Sequence, residues 1–168
     1  MALYLACALS DRIASVGDIS GQMTFEMTNN LCNPNRQVSV LHMLGTNDPF
    51  YPVNGNVTFP PLEGAAVYWA MQGNCDTIPT VDSLTDLDPY DGSTVTLKTY
   101  EECDEDIEVL CYRIEGGGHC WPGGGFSCNN DIKASVELWE FFRRNPFPDT
   151  TSVGISSHPD NLRITVYP

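Results

Sequence analysis

The sequence is poor in positive charge, with 8 Lys and Arg residues against 22 Asp and Glu residues and a formal net charge of -14. A surface this acidic repels phosphate backbones, so nucleic-acid binding is not expected. No apolar run reaches the roughly 18 residues that a membrane helix needs, and no membrane span is expected. The apolar start at Met1 also lacks the basic residues and cleavage site of a signal peptide. A length of 168 residues suits one domain with a core of its own.

The seven cysteines include no Cys-x-x-Cys pair, and their spacings fit neither a zinc site nor a redox motif. We therefore expect no metal and no cofactor. Many cysteines without metal spacing are typical of disulfides formed in an oxidising compartment. An odd number leaves at least one cysteine free or without its partner.

Acidic side chains are concentrated between residues 101 and 108. A run of like charges predicts a solvated loop. The alternative is a calcium site, but the stretch lacks the regular ligand and glycine spacing of a calcium loop.

Hydrophobic patterning predicts an α/β fold with a mainly parallel sheet flanked by helices, because short apolar runs alternate with helical segments. Residues 18–36 read as a loop, and a turn-rich stretch ends near Ser93. Asp131 is expected to cap the last helix. The predicted helices are residues 2–10, Leu62–Gly73 and a last one that ends before Pro146; the predicted strands are Ile13–Gly17, Val38–Leu44, Thr94–Tyr100 and Ile107–Ile114.

Two polar residues follow predicted buried strands, Asp48 after Val38–Leu44 and His119 after Ile107–Ile114. Catalytic groups of open α/β sheets lie at the carboxyl ends of strands, and acid before histidine is the chain order of α/β-hydrolase triads. The pair therefore predicts a carboxylate that orients an imidazole, with a separation of roughly 2.6–3.2 Å. The alternatives are a turn-forming Asp before proline and an exposed His in a glycine loop.

The other two histidines do not compete for this role. His42 lies inside an apolar strand and is expected to be a core residue, and His158 lies in the tail.

Four segments resemble one family, the secreted poly(3-hydroxybutyrate) depolymerases with related feruloyl and acetylxylan esterases of the α/β-hydrolase superfamily. LHMLGTNDPFYP around Asp48 is similar to that family's acid loop, and GGGHCWPGG around His119 to its histidine loop. Trp69 with Gly73-Asn74-Cys75 resembles a helix end of the family, and LWEFF resembles its final helix. The resemblance covers residues 1–146 and implies the C-terminal part of an α/β-hydrolase catalytic domain.

The resemblance also implies what is missing and what the residues do. The segment from Met1 to Cys7 resembles the helix that follows the family's nucleophile turn, so the serine would lie about five residues upstream of Met1. No Gly-x-Ser-x-Gly occurs in the 168 residues. The implied activity is ester hydrolysis with Asp48 and His119 as triad members, on an extracellular polyester or plant cell-wall ester. Trp121 is expected to line the substrate pocket or, alternatively, to pack the loop.

The alternative function is a non-catalytic binding module of an extracellular protein that has the same fold. A serine at the upstream nucleophile turn would favour the esterase, and its absence would favour the binding module. The oligomeric state stays open.

The family implies a disulfide between Cys75 and Cys103, and Cys120 and Cys128 are close enough in sequence to pair locally. Cys32 is expected to pair outside these residues, and Cys7 and Cys111 to be buried thiols. Residues 147–168 read as a linker followed by one strand, which resembles the start of a type IX secretion sorting domain or is an ordinary linker strand.

Overall fold

The computed structural model of the chain describes residues 1–104, 106–125 and 128–147. The predicted tail strand therefore lies outside the described residues. Within them, three α-helices accompany one five-stranded sheet, and a short π-helix covers Met27–Leu31. The elements are α1 (Ala2–Ala8), β1 (Ser15–Ile19), β2 (Ser39–Gly45), α2 (Leu62–Gln72), β3 (Thr80–Ser83), β4 (Thr94–Tyr100), β5 (Val109–Glu115) and α3 (Ala134–Arg144).

The strand order is β1-β2-β5-β4-β3. Strands β1, β2 and β5 pair in parallel, whereas β4 runs antiparallel to both of its neighbours, β5 and β3. Four strands therefore point in one direction and β4 in the other. The prediction of an α/β fold is confirmed, with a sheet that is mixed because of β4.

Helices cover both faces of the sheet, so its central strands are buried on both sides. All seven residues of β2 are buried. Val40 and Leu44 face the layer that contains α1 and α2, while Leu41 and Met43 face α3. This two-sided burial is why β2 reads as a continuous apolar run rather than an alternating one.

A glycine in β1 allows α3 to approach the sheet closely. A β-carbon on Gly17 would overlap the Leu138 side chain and lie 3.5 Å from the ring of Phe142. The amphipathic helix α3 therefore rests directly on the backbone of the edge strand.

Three sequence predictions were wrong in detail. The segment 18–36, expected to be a loop, contains the end of β1 and the π-helix Met27–Leu31. The turn-rich stretch before Ser93 contains β3, whose four residues are all exposed and so give no burial pattern. Asp131 does not cap the last helix, because Lys133 occupies the N-cap position. The carboxylate of Asp131 instead accepts hydrogen bonds from the backbone N–H groups of Leu87 (2.7 Å) and Asp88 (3.2 Å), and so ties a distant loop to the start of α3.

The cysteines form three disulfides, Cys75–Cys103, Cys120–Cys128 and Cys7–Cys32. The expectations for Cys7 and Cys32 were wrong, because these residues pair with each other and join α1 to the π-helical segment. Three disulfides indicate an oxidising environment. The unpaired thiol is the buried Cys111 in β5.

Among the described residues, no helix has the length and apolar content that crossing a membrane requires.

Candidate active site

Strand register brings the Asp48 and His119 loops together at the carboxyl ends of the neighbouring strands β2 and β5. Gly45 at the end of β2 lies opposite Ile114 of β5, and both strands point the same way. The loops then continue as a pair: the backbone N–H of Asn47 donates to the carbonyl of Gly117 (2.8 Å), and that of Gly116 donates to the Thr46 hydroxyl (2.9 Å). Each loop therefore holds the backbone of the other.

The loops approach so closely that a side chain at Gly45 would not fit. A β-carbon on Gly45 would overlap the carbonyl of Gly117. Gly116 adopts φ 78°, a left-handed conformation that glycine reaches without strain. These glycines allow the histidine loop to turn back across the end of β2 toward Asp48.

Asp48 and His119 are in direct contact, with 2.9 Å between Asp48 Oδ2 and His119 Nδ1. This distance lies within the range expected from the sequence. The second oxygen, Oδ1, accepts hydrogen bonds from the backbone N–H groups of Phe50 (2.8 Å) and Tyr51 (3.0 Å). The Asp48 side chain is fully buried, whereas the His119 side chain is 39% exposed.

This geometry determines which nitrogen of His119 can exchange protons. An ionised carboxylate only accepts hydrogen bonds, so Nδ1 must carry the hydrogen that it shares with Asp48. Nε2 is then the nitrogen that can accept a proton from a reacting group. The arrangement has the orientation of the acid–base half of a catalytic triad.

Aromatic side chains flank the imidazole. The Phe50 ring meets His119 edge to face at 4.9 Å between ring centroids, and the Tyr51 ring stacks at 6.0 Å. Phe50 is itself largely exposed. The imidazole is thus restrained on its sides, and an apolar ring is presented to solvent beside it.

Trp121 lies further along the same loop and is half exposed. Its indole N–H donates to the hydroxyl of Ser135 in α3, at 3.1 Å. The loop is also held by the Cys120–Cys128 disulfide and by the Gly123 N–H, which donates to the carbonyl of Asn129 at 2.7 Å. A substrate-lining role for Trp121 stays a prediction.

The acidic stretch near residue 104 has a structural use. Asp104 accepts hydrogen bonds from the side-chain amides of Gln37 and Asn74, both at 2.6 Å. These two bonds lower the pKa of the Asp104 carboxyl.

Within the part of the chain that the structure describes, no group of three or more His, Cys, Asp or Glu side chains is arranged to hold a metal ion.

Sequence reasoning missed a contact between the histidine loop and β1. The hydroxyl of Ser20, one residue after β1, donates to the carbonyl of Cys120 at 3.0 Å. The nearest signal was the Ser20-Gly21 dipeptide at a strand end, but it lies 100 residues from its partner and carries no information about it.

Comparison with known proteins gives one relative of interest. No protein-family model matches the chain. The chain is similar to a protein of Nocardia uniformis subsp. tsuyamanensis that bears the name "Putative esterase NocK", with 27% identity over 140 residues. The match covers 75% of this chain and 40% of that protein, so the chain spans less than half the length of its relative.

Proposed function

We propose that this chain is part of a serine-type carboxylic-ester hydrolase of the α/β-hydrolase superfamily, with Asp48 and His119 as the acid and the base of its triad. The observation that carries the proposal is the contact between the buried Asp48 carboxylate and His119 Nδ1, at the carboxyl ends of two adjacent parallel strands. The similarity to a protein named as an esterase supports the same class.

The nucleophile of this enzyme is a serine in a preceding part of a longer polypeptide. The 168 residues contain no Gly-x-Ser-x-Gly. Strand β1 is at the edge of the described sheet and presents a backbone edge to which a further strand could pair. The side chains of Trp139 and Phe142 are exposed apolar groups on α3, the helix that packs against β1.

The proposed chemistry proceeds through an acyl-enzyme. As the serine Oγ attacks the ester carbonyl carbon, its proton passes to His119 Nε2, and the imidazolium is stabilised by Asp48. The same proton then moves to the departing alkoxide, which leaves as the alcohol. Water hydrolyses the acyl-serine in a second step, with His119 again as the base.

The substrate class is an extracellular polyester or a plant cell-wall ester such as a feruloyl or acetyl ester. Three disulfides suit an extracellular enzyme, since they persist in an oxidising environment. Phe50 beside His119 offers an apolar ring to the acyl or alcohol group. Trp121 is the second proposed substrate contact, being half exposed on the histidine loop.

The experiment compares the 168-residue chain with a longer product of the same gene that includes the segment upstream of Met1. The chain alone should hydrolyse p-nitrophenyl acetate only at background rate, because triad members act as a unit. The longer protein should turn the ester over, and His119→Ala should lower kcat by at least about a thousandfold.

Two matched variants serve as controls for that experiment. His158→Ala removes a different histidine, in the tail, and should leave kcat unchanged. Asp82→Asn removes the charge of an exposed carboxylate in β3 and should also leave kcat unchanged. Activity that survives His119→Ala, or a longer protein without an esterase reaction, would refute the proposal. In the second case the non-catalytic binding module becomes the better account.

A further inference from the structure

A second acid–histidine pair is buried between β1 and β2. Asp18 in β1 and His42 in β2 are register partners in adjacent parallel strands. His42 is only 1% exposed and Asp18 only 8%. His42 Nε2 lies 3.0 Å from the carbonyl oxygen of Gly21 and 3.2 Å from Asp18 Oδ2. The Gly21 carbonyl only accepts hydrogen bonds, so Nε2 carries the hydrogen that it donates there, while Asp18 Oδ2 and His42 Nδ1 are buried without a hydrogen-bond partner among the described residues.

This pair holds the turn formed by Ser20 and Gly21. Ser20 has φ 50°, in the left-handed region that non-glycine residues rarely adopt, and its backbone N–H donates to the carbonyl of Met43 at 2.9 Å. Gly21 has no room for a side chain, because a β-carbon would lie 2.6 Å from Asp18 Oδ2. The turn is therefore held by hydrogen bonds to His42 and Met43 of β2, and it packs closely against the Asp18 carboxylate.

The restrained turn is in contact with the loop that carries His119. Ser20 donates its hydroxyl hydrogen to the carbonyl of Cys120, the residue next to His119, at 3.0 Å. His119 is thus held through its ring by Asp48 and through its adjoining backbone by Ser20.

We propose that Asp18, His42 and Ser20 are positioning residues for His119. The buried pair fixes the Ser20–Gly21 turn, and the Ser20 hydroxyl fixes the peptide after His119, so that the imidazole stays aligned with Asp48. The inference rests on the proposed role of His119 as the base, and it extends that role to residues that touch neither substrate nor reacting atoms.

The test uses ring ¹⁵N chemical shifts, which report the ratio of the Nδ1–H to the Nε2–H tautomer of His119. The chain has three histidines, so the ring signals can be assigned by substitution. Ser20→Gly removes the hydroxyl and suits the positive φ, so the fold should not suffer. We expect the Nδ1–H to Nε2–H ratio to fall about fivefold, the effect of losing one hydrogen bond.

Ser20→Asn provides the rescue variant, because asparagine tolerates the left-handed conformation and its amide can donate to the Cys120 carbonyl. It should restore the ratio toward the value of the unmodified chain. In the longer protein, Ser20→Gly should lower kcat about fivefold with an unchanged KM.

An unchanged ratio in Ser20→Gly would overturn the proposal. A ratio in Ser20→Asn that stays at the Ser20→Gly value would also overturn it, because the hydroxyl would then not be the cause. The tautomer ratio is measured on the 168-residue chain and does not depend on ester hydrolysis. Failure of the positioning role and failure of the proposed function are therefore separate results.

Discussion

Replacing Asp48 by asparagine changes one atom at the centre of the candidate site. Oδ1 of the new amide can still accept the backbone N–H groups of Phe50 and Tyr51, so the loop should keep its shape. The –NH₂ group that replaces Oδ2 is a donor and cannot accept the Nδ1–H of His119. The imidazole should therefore change to the Nε2–H tautomer, in which Nδ1 accepts from the amide.

The magnitudes follow from what the substitution removes. Loss of a hydrogen bond to a charged, buried carboxylate costs about 1.5 kcal/mol of unfolding free energy, at the low end of its range because His119 is partly exposed. For a domain of this size the midpoint of thermal unfolding should fall by about 4 °C. In the longer protein the wrong tautomer should lower kcat by about 10⁴-fold, or about 5.5 kcal/mol of activation free energy.

The assay is ring ¹⁵N NMR of the 168-residue chain, followed by p-nitrophenyl ester kinetics of the longer protein. Asp82→Asn on β3 is the matched control and should change neither the tautomer nor the rate. If His119 keeps the Nδ1–H tautomer in Asp48→Asn, Asp48 does not orient the imidazole, and the reasoning is refuted.

Three further outcomes are expected. A thiol reagent should find no reactive thiol in the folded chain and one after unfolding, because burial raises the pKa of Cys111 to about 12 and the other cysteines are in disulfides; two or more thiols would refute the pairing. Removing the Cys75–Cys103 bridge with a double serine variant should cost about 3 kcal/mol in denaturant unfolding, and a change below about 1 kcal/mol would contradict this. Burial would raise the pKa of Glu63, but Lys98 at 2.9 Å and Arg113 at 3.2 Å lower it on balance. Glu63→Gln should therefore cost about 1 kcal/mol at pH 6, and that cost should shrink as the pH falls through the lowered pKa of Glu63, where the carboxylate becomes protonated; a cost that stays constant as the pH is lowered through the acid range would rule out the ion pairs as its source.

The central part of the fold was predictable because burial on both faces leaves a clear trace in sequence. Val38–Leu44 and Ile107–Ile114 are apolar runs with a polar residue soon after each, and parallel pairing then brings Asp48 and His119 to the same edge. Each strand and the polar residue after it can be recognised from the local sequence, and the parallel pairing of β2 with β5 then places the two polar residues side by side.

The parts that escaped prediction depend on long-range contacts. Asp131 is placed as a helix cap would be, yet its carboxylate binds a loop more than 40 residues earlier. The Cys7–Cys32 bridge and the Ser20–Cys120 hydrogen bond join segments whose own sequences do not encode their partners. Strand β3 is fully exposed and so lacks the alternation that marks a strand.

The most direct test of the proposed triad is covalent labelling of the longer protein with a fluorophosphonate, a reagent that reacts with activated serines. Peptide mass spectrometry should find the label on one serine upstream of Met1. The labelling rate should collapse in His119→Ala and stay unchanged in His158→Ala, because only His119 activates that serine. Labelling that is absent, or that proceeds equally well without His119, would contradict the assignment of Asp48 and His119 as the acid and base of an esterase.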